Sequence, residues 1–328
     1  MSHLVISRTP LRISFAGGGS DLSSYYQENL GCVVSVPIKK YIYITLNKRF
    51  DDSLSCIKYS KTEFVERPIE IQHPIIREIF MKYDLNGLDF NSIADIPGGT
   101  GLGSSSCFTV GLLNTIHAIR NSNISKNELA AEACEIEIDR LKEPIGKQDQ
   151  YGAAVGGFKK ISFNQNGSVD IQKISINNDA KNKLEKSLIL LYLGGERKAS
   201  EILSKQNRSF HERKDSVKIM RKMVDIAQEL ADKLSDNIES LGHYLHESWL
   251  LKRELSDGIT NEYIDSIYKD CLKFGATGGK LLGAGGNGFL LLFVPENHME
   301  MFKNKFQAFR LVNVEFDDLG TEIIYDGT

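Results

Sequence analysis

"PGGTGLGSSSC", residues 97–107, holds four glycines and three serines in eleven positions. Glycine reaches positive φ and leaves no side chain between backbone N–H groups and an approaching anion, so such a stretch suits a phosphate cradle. The spelling G-x-x-x-x-G-K-[ST] is nearly met from Gly98 to Gly103, but Ser104 stands where the lysine belongs. The standard nucleoside-triphosphate loop is therefore excluded. Two readings stay open: a loop that binds phosphate without lysine, or a tight turn closed by a serine N-cap.

Phe108, Leu112, Ile116 and Ile119 follow at helical spacing, so the loop ends at a helix N-terminus. Free N–H donors and the positive end of the helix dipole bind phosphate there without a lysine. The hydroxyls of Ser104, Ser105 and Ser106 add contacts or a magnesium ligand.

Ser125 and Glu128 form a capping box that opens a second helix running to Pro144. Ala130, Ala133, Cys134 and Leu141 share one face of it, and Glu137 sits inside that apolar stripe. A carboxylate buried there needs a salt-bridge partner or a cation. Asp149, in "EPIGKQDQYGAAVGGF", follows a Pro/Gly break and on its own is only a candidate cap.

Two more glycine clusters flank these elements. "GGKLLGAGGNGFLLLFV" matches G-x-G-x-x-G at Gly283, Gly285 and Gly288, but a strand follows where a dinucleotide site requires a helix. A loop allowing close backbone approach is the better reading. "RTPLRISFAGGGSDL" groups Arg8, Arg12 and Asp21 around three glycines, which suits a polar small molecule or a surface ion pair.

The surrounding chain agrees with a two-domain protein. "CVVSVPI" and "KYIYITLN" read as strands, the latter with Ile42, Ile44 and Leu46 alternating against Tyr41, Tyr43 and Thr45. An Asn-rich stretch around 164–185 marks the boundary, dividing the chain into 1–180 and 181–328. Long helices over roughly 198–257 follow, with "FLLLFV", "VNVEF" and "EIIYDG" as closing strands. At 328 residues and a net charge of −3, the chain has ample core and no basic field for nucleic acid. Five dispersed cysteines show no metal spacing and read as buried thiols of a reducing compartment. With neither a signal peptide nor a membrane span, the expected location is the cytoplasm.

Together these stretches resemble the GHMP kinases, the superfamily of galactokinase, homoserine kinase and mevalonate kinase, in order over nearly the whole chain. Within it, "RTPLRISFAGGGSDL", "KRELSDGITNEYID" and "GGKLLGAGGNGFLLLF" are most similar to bacterial heptose 7-phosphate kinases, with the fucokinase kinase domain the nearest relative. Asn287 departs by standing where glycine is commoner, a position where Asn tolerates positive φ. The resemblance implies a two-domain α+β fold: an N-terminal domain like the second domain of ribosomal protein S5 and a ferredoxin-like C-terminal domain, with ATP between them. It implies Asp149 as the catalytic aspartate with Arg12 beside it, and Glu137 with one of Ser104–Ser106, best Ser105, as Mg²⁺ ligands. Pro97, Gly98, Gly99, Thr100, Gly101, Leu102 and Gly103 with the three serines become the ATP loop. Asp21 becomes a sugar-hydroxyl ligand, and Gly18, Gly19, Gly285 and Gly286 join it around the substrate. The activity implied is ATP-dependent phosphorylation of D-glycero-D-manno-heptose 7-phosphate at C1. The sugar phosphate and ATP are then its partners, with no nucleic acid or membrane, and monomer or homodimer left open. A heptose 7-phosphate carries a dianion remote from C1, and Arg197 and Lys198 in "GGERKASEIL", just before a helix, are candidates to hold it. A fucokinase-like free-sugar kinase and a silent sugar-binding regulator are the alternatives.

Overall fold

The computed structural model describes residues 4–50, 54–195, 199–212 and 214–327. In the first half, β1 (Val5–Ala16) and β2 (Gly31–Lys48) pair antiparallel over most of their length. The alternation in "KYIYITLN" is realised: Ile42, Ile44 and Leu46 are buried, and the residues between them are partly exposed. The second half of β2 pairs with β5 (Leu88–Ala94), which lies beside the hairpin of β3 (Ser55–Lys58) and β4 (Thr62–Val65). Its first half pairs with β6 (Lys159–Phe163), hairpinned to β7 (Val169–Lys173). Residues 31–38 are buried on both faces, because helix Lys214–Lys233 of the second half packs on this stretch.

The second half builds its own sheet from β8 (Leu188–Tyr192), β9 (Gly278–Leu281), β10 (Phe289–Phe293) and β11 (Arg310–Asn313), in the order β11-β8-β10-β9. Among the described residues four α-helices between β8 and β9, and one between β10 and β11, give the β-α-β-β-α-β pattern of the expected ferredoxin-like domain. Residues 278–281 therefore form a strand where sequence reading saw only a glycine loop; pairing with Leu290–Phe293 outweighs the low strand propensity of glycine. The Asn-rich stretch holds β7 and the helix Asn178–Ser187, capped by Asn177. A last strand, β12 (Glu322–Asp326), returns to pair with β1, so the chain crosses the expected boundary near residue 180 a second time. Arg8 is spent on that crossing: it pairs with Glu322 at 2.9 Å, which is the surface ion pair and not a ligand group.

All five cysteines are buried free thiols, as expected. No helix among the described residues is long and apolar enough to cross a membrane.

Candidate active site

Between the halves lies a cleft of about 1050 Å³. One wall is the glycine loop leading into helix Ser104–Ile119. The helix is capped by Gly103 at φ 76°, not by a serine, so the amides of the first turn are left for a ligand. Ser104 Oγ, on the wall of the cleft, is buried without a partner among the described residues, so it too can bond a polar ligand. The loop owes its shape to the C-terminal cluster. A Cβ on Gly101, at φ 89°, would lie 2.6 Å from the carbonyl oxygen of Leu282, and one on Gly283 would lie 2.5 Å from Gly101 Cα. Backbone thus rests on backbone across the two halves, which is the close approach the sequence signalled. Asn287 does not need positive φ; among the described non-glycine residues only Asp84, Asn121 and Lys142 adopt it.

The catalytic candidates come from separate elements. Arg12 projects from β1 and is 3% exposed. Its Nε donates to Asp149 Oδ1 at 2.7 Å, Nη2 lies 2.7 Å from the same oxygen in the ion pair, and Nη1 donates to the Gly101 carbonyl at 2.9 Å. One guanidinium therefore ties the aspartate to the glycine loop through Oδ1 alone, leaving Oδ2 outside the pair. Asp149 lies in the first turn of helix Gln148–Ala154. Asp21 is buried beneath it. Its carboxylate accepts from the Gly19 amide (3.0 Å), the Gln148 amide (3.1 Å) and Gln148 Nε2 (3.0 Å). Burial, reinforced by the charge of Asp149, raises its pKa. Gln148 Oε1 and Ser14 Oγ line the cleft without partners.

Glu137 answers the question raised by its helix. The helix Lys126–Cys134, opened by the Ser125–Glu128 capping box, passes into a π-helical turn at Glu135–Arg140, a device that re-aims side chains. Glu137 is 1% exposed. It accepts from Ser105 Oγ at 3.0 Å and from Gln150 Nε2 at 2.6 Å, and these neutral partners exclude the salt-bridge reading among the described residues. Burial pushes its pKa up to about 7 despite those bonds. Among the described residues no cluster of three His, Cys, Asp or Glu could hold a metal alone. Mg²⁺ on a nucleotide takes most of its oxygens from phosphates and water, and one carboxylate with one hydroxyl is its usual protein share. Glu137 and Ser105 fit that share.

The other expected residues divide. Pro97, Gly98, Gly99, Gly101, Gly103, Ser104–Ser106, Gly18, Gly19, Asp21 and Gly285 line the cleft. Leu102 is core and gives its carbonyl to the Arg12 amide at 3.1 Å; Thr100 is buried, bonding the Pro97 carbonyl. Gly286 turns its amide to the Ile259 carbonyl at 2.9 Å, bracing the loop rather than facing substrate. Arg197 and Lys198 lie outside the described residues. Two cations of the cleft, Lys252 and Lys280, escaped sequence reading. Lys252 carried a usable signal: in helix Leu241–Arg253 it continues the buried face of Leu241, Leu245, Ser248 and Trp249, as Glu137 does on its own helix. For Lys280, and for Gln148 and Gln150, no local signal existed.

An aspartate held by an arginine in a cleft, next to a lysine-free glycine loop at a helix N-terminus and a buried carboxylate, is an arrangement that suits an ATP-dependent phosphotransferase for a small-molecule hydroxyl. Comparison with known proteins gives the family. Residues 70–157 match the GHMP kinases N terminal domain and residues 226–309 the GHMP kinases C terminal domain. The chain is 31% identical over 301 residues to the D-glycero-alpha-D-manno-heptose 7-phosphate kinase of Campylobacter jejuni, covering 88% of each protein. It therefore belongs to the GHMP kinase family. It is also 25% identical to the bifunctional fucokinase/GDP-fucose pyrophosphorylase of Arabidopsis thaliana, over 88% of this chain and 29% of that protein. Among solved structures, a D-glycero-D-manno-heptose 1-phosphate kinase from Bacteroides thetaiotaomicron superposes with a TM-score of 0.80 at 23% identity, over 98% of this chain and 99% of that one. At that identity the likeness speaks for the fold.

Proposed function

We propose that this sugar kinase transfers the γ-phosphoryl group of ATP to the C1 hydroxyl of D-glycero-D-manno-heptose 7-phosphate, yielding the 1,7-bisphosphate. The observation that carries the reaction type is the ion pair of Arg12 with Asp149, hydrogen-bonded through Nε, with Nη1 on the glycine loop. It couples the proton acceptor to the donor phosphate through one rigid group. What supports the sugar is the similarity to the Campylobacter jejuni heptose 7-phosphate kinase over 88% of both chains.

In this mechanism Asp149 accepts the hydroxyl proton and orients the oxygen, and Arg12 keeps the carboxylate in place. Loop amides and the helix N-terminus hold the phosphates in line. Glu137 and Ser105 are the proposed Mg²⁺ ligands, and the ion, when bound, neutralises charge on the β- and γ-phosphates. Gln148, bonded to Asp21, positions sugar hydroxyls through its open Oε1. Arg197 and Lys198 are proposed, on sequence grounds, for the 7-phosphate.

The test is ATP turnover on a panel of free and phosphorylated sugars, with ³¹P NMR locating the new phosphate. Preferential use of the heptose 7-phosphate with a new anomeric phosphate is expected. Equal use of the free sugar favours the fucokinase-like reading, and nucleotide binding without turnover favours a silent regulator. Arg197→Ala and Lys198→Ala should each raise KM for the phosphorylated sugar by on the order of tenfold or more, since a hydrogen bond to a charged group contributes about 1.5–3 kcal/mol. An unchanged KM in both removes them from the site.

A further inference from the structure

Two lysines that line the cleft have no counter-ion among the described residues. Lys252, 6% exposed, donates to the carbonyls of Leu281 and Gly283; Lys280, 2% exposed, donates to the carbonyl of Phe15 at 3.2 Å. Neither meets a carboxylate among the described residues. An ammonium has three donors, so one on Lys252 and two on Lys280 remain unused. Both side chains line the cleft.

A buried lysine without a counter-ion holds its proton weakly, and an anion that arrives with the ligand would restore the charge. Burial and the charge of Arg12 push Lys252 down to about 7, and burial, Lys252 and Arg12 together push Lys280 well below its ordinary value. A buried lysine elsewhere in the chain provides the contrast. Lys159 also bonds a carbonyl, that of Gly157 at 3.1 Å, but it is not among the residues lining the cleft, and Asp317 supplies a compensating charge.

The location selects the anion. Lys252 ties down the Leu281–Gly283 backbone that rests on Gly101, and Arg12 bonds the Gly101 carbonyl from the other side. Lys280 reaches the carbonyl of Phe15, three residues beyond Arg12 on β1. The charge of Arg12 acts on both lysines and that of Lys252 on Lys280, so both side chains stand in the cleft within electrostatic reach of the guanidinium that holds Asp149 and the Gly101 carbonyl. Because Arg12 holds Asp149, the proposed proton acceptor, an anion beside these three cations suits the phosphoryl group in flight better than a phosphate at the far end of the sugar. We propose that Lys252 and Lys280 bind the phosphoryl group during its transfer from ATP to the acceptor oxygen, as the cations that neutralise its equatorial oxygens. The γ-phosphorus–oxygen bond to ADP breaks, the bond to the acceptor oxygen forms, and the hydroxyl proton goes to Asp149; the lysines exchange no atoms. This rests on the kinase reading above but not on the identity of the sugar.

The experiment uses Lys252→Gln and Lys280→Gln, which keep an amide donor for the carbonyls and remove the charge. Each is assayed on whichever acceptor the wild type phosphorylates fastest, so a wrong sugar changes the acceptor and not the outcome. Expected is a loss in kcat of about 10²–10³-fold, the range for removing one transition-state donor, with KM for the acceptor and Kd for ADP within about threefold. Wild-type protein should bind ADP more tightly when aluminium fluoride, a mimic of the group in flight, and the acceptor are present, and the variants should lose that gain. Folded variants whose kcat stays within about threefold, or that keep the fluoride-dependent gain, overturn the assignment. If a variant does not fold, the wild type decides by reductive methylation read residue by residue. Protection of Lys252 and Lys280 by ADP, aluminium fluoride and acceptor, but not by ADP alone, supports the proposal; equal protection by ADP overturns it.

Discussion

Glu137→Gln separates a carboxylate kept for an ion from one kept for packing. In the ligand-free protein the folded pKa stands at about 7 against a usual value of 4.5, with burial as the main cause. Between those values the folded state binds more protons than the unfolded chain, so stability is full below about pH 4.5 and falls as pH rises to 7. At about 1.36 kcal/mol per unit, that displacement amounts to about 3 kcal/mol lost by pH 8. Glutamine has the same shape and no charge. It can be accommodated, because Gln150 Oε1 is buried without a partner and an amide flip would let it accept from the new NH₂. The variant should therefore match or exceed the wild type in melting temperature at pH 8, by on the order of 5 °C, and lose the advantage near pH 4.5. In turnover assays the magnesium concentration for half-maximal rate should rise. The measurements are thermal unfolding at both pH values without ligand, and rate against magnesium at fixed ATP. A variant less stable than wild type by the same amount at both pH values, with unchanged magnesium dependence, would refute the reasoning and return Glu137 to a structural role.

Three further outcomes follow from the geometry. Asp149→Asn should lower kcat by about 10²–10⁴-fold, the usual contribution of a positioned proton acceptor, while calorimetry shows ADP binding unchanged; near-normal turnover would exclude Asp149 from the chemistry. Gly283→Ala places a Cβ 2.5 Å from Gly101 Cα at a φ of 69°, so KM for ATP should rise, with a stability loss of about 1–3 kcal/mol in denaturant unfolding. Wild-type kinetics in that variant would mean the phosphate loop does not depend on this contact. Lys159, lowered to about 7 by burial, binds fewer protons folded than unfolded between pH 7 and 10.5, so wild-type stability gains from this group as pH rises through that window. Lys159→Met should flatten that rise and stabilise the protein at pH 6.5 without altering turnover, as urea unfolding at pH 6.5 and 9 would show.

Much was legible from local pattern. The alternation of Ile42, Ile44 and Leu46, the Ser125–Glu128 cap and the apolar face around Glu137 all rest on interactions within a few residues of each other, which periodicity records. The composition of the glycine loop left a phosphate site and a tight turn both open, and its order with the other motifs pointed to the family. Residue chemistry could not tell a buried acid awaiting a cation from one already paired. That answer needed Ser105 and Gln150, which come 32 residues before and 13 after Glu137 and meet it only in the folded protein. Asp149 became more than a cap because β1 delivers Arg12 to it from 137 residues away. Lys280 shows the limit most plainly. Its tetrapeptide, GGKL, has poor strand propensity and becomes a strand because β10 pairs with it; that pairing buries a lysine whose ammonium donates to the Phe15 carbonyl of β1. Contacts of high sequence separation are fixed by packing the two halves together, and no local period encodes them.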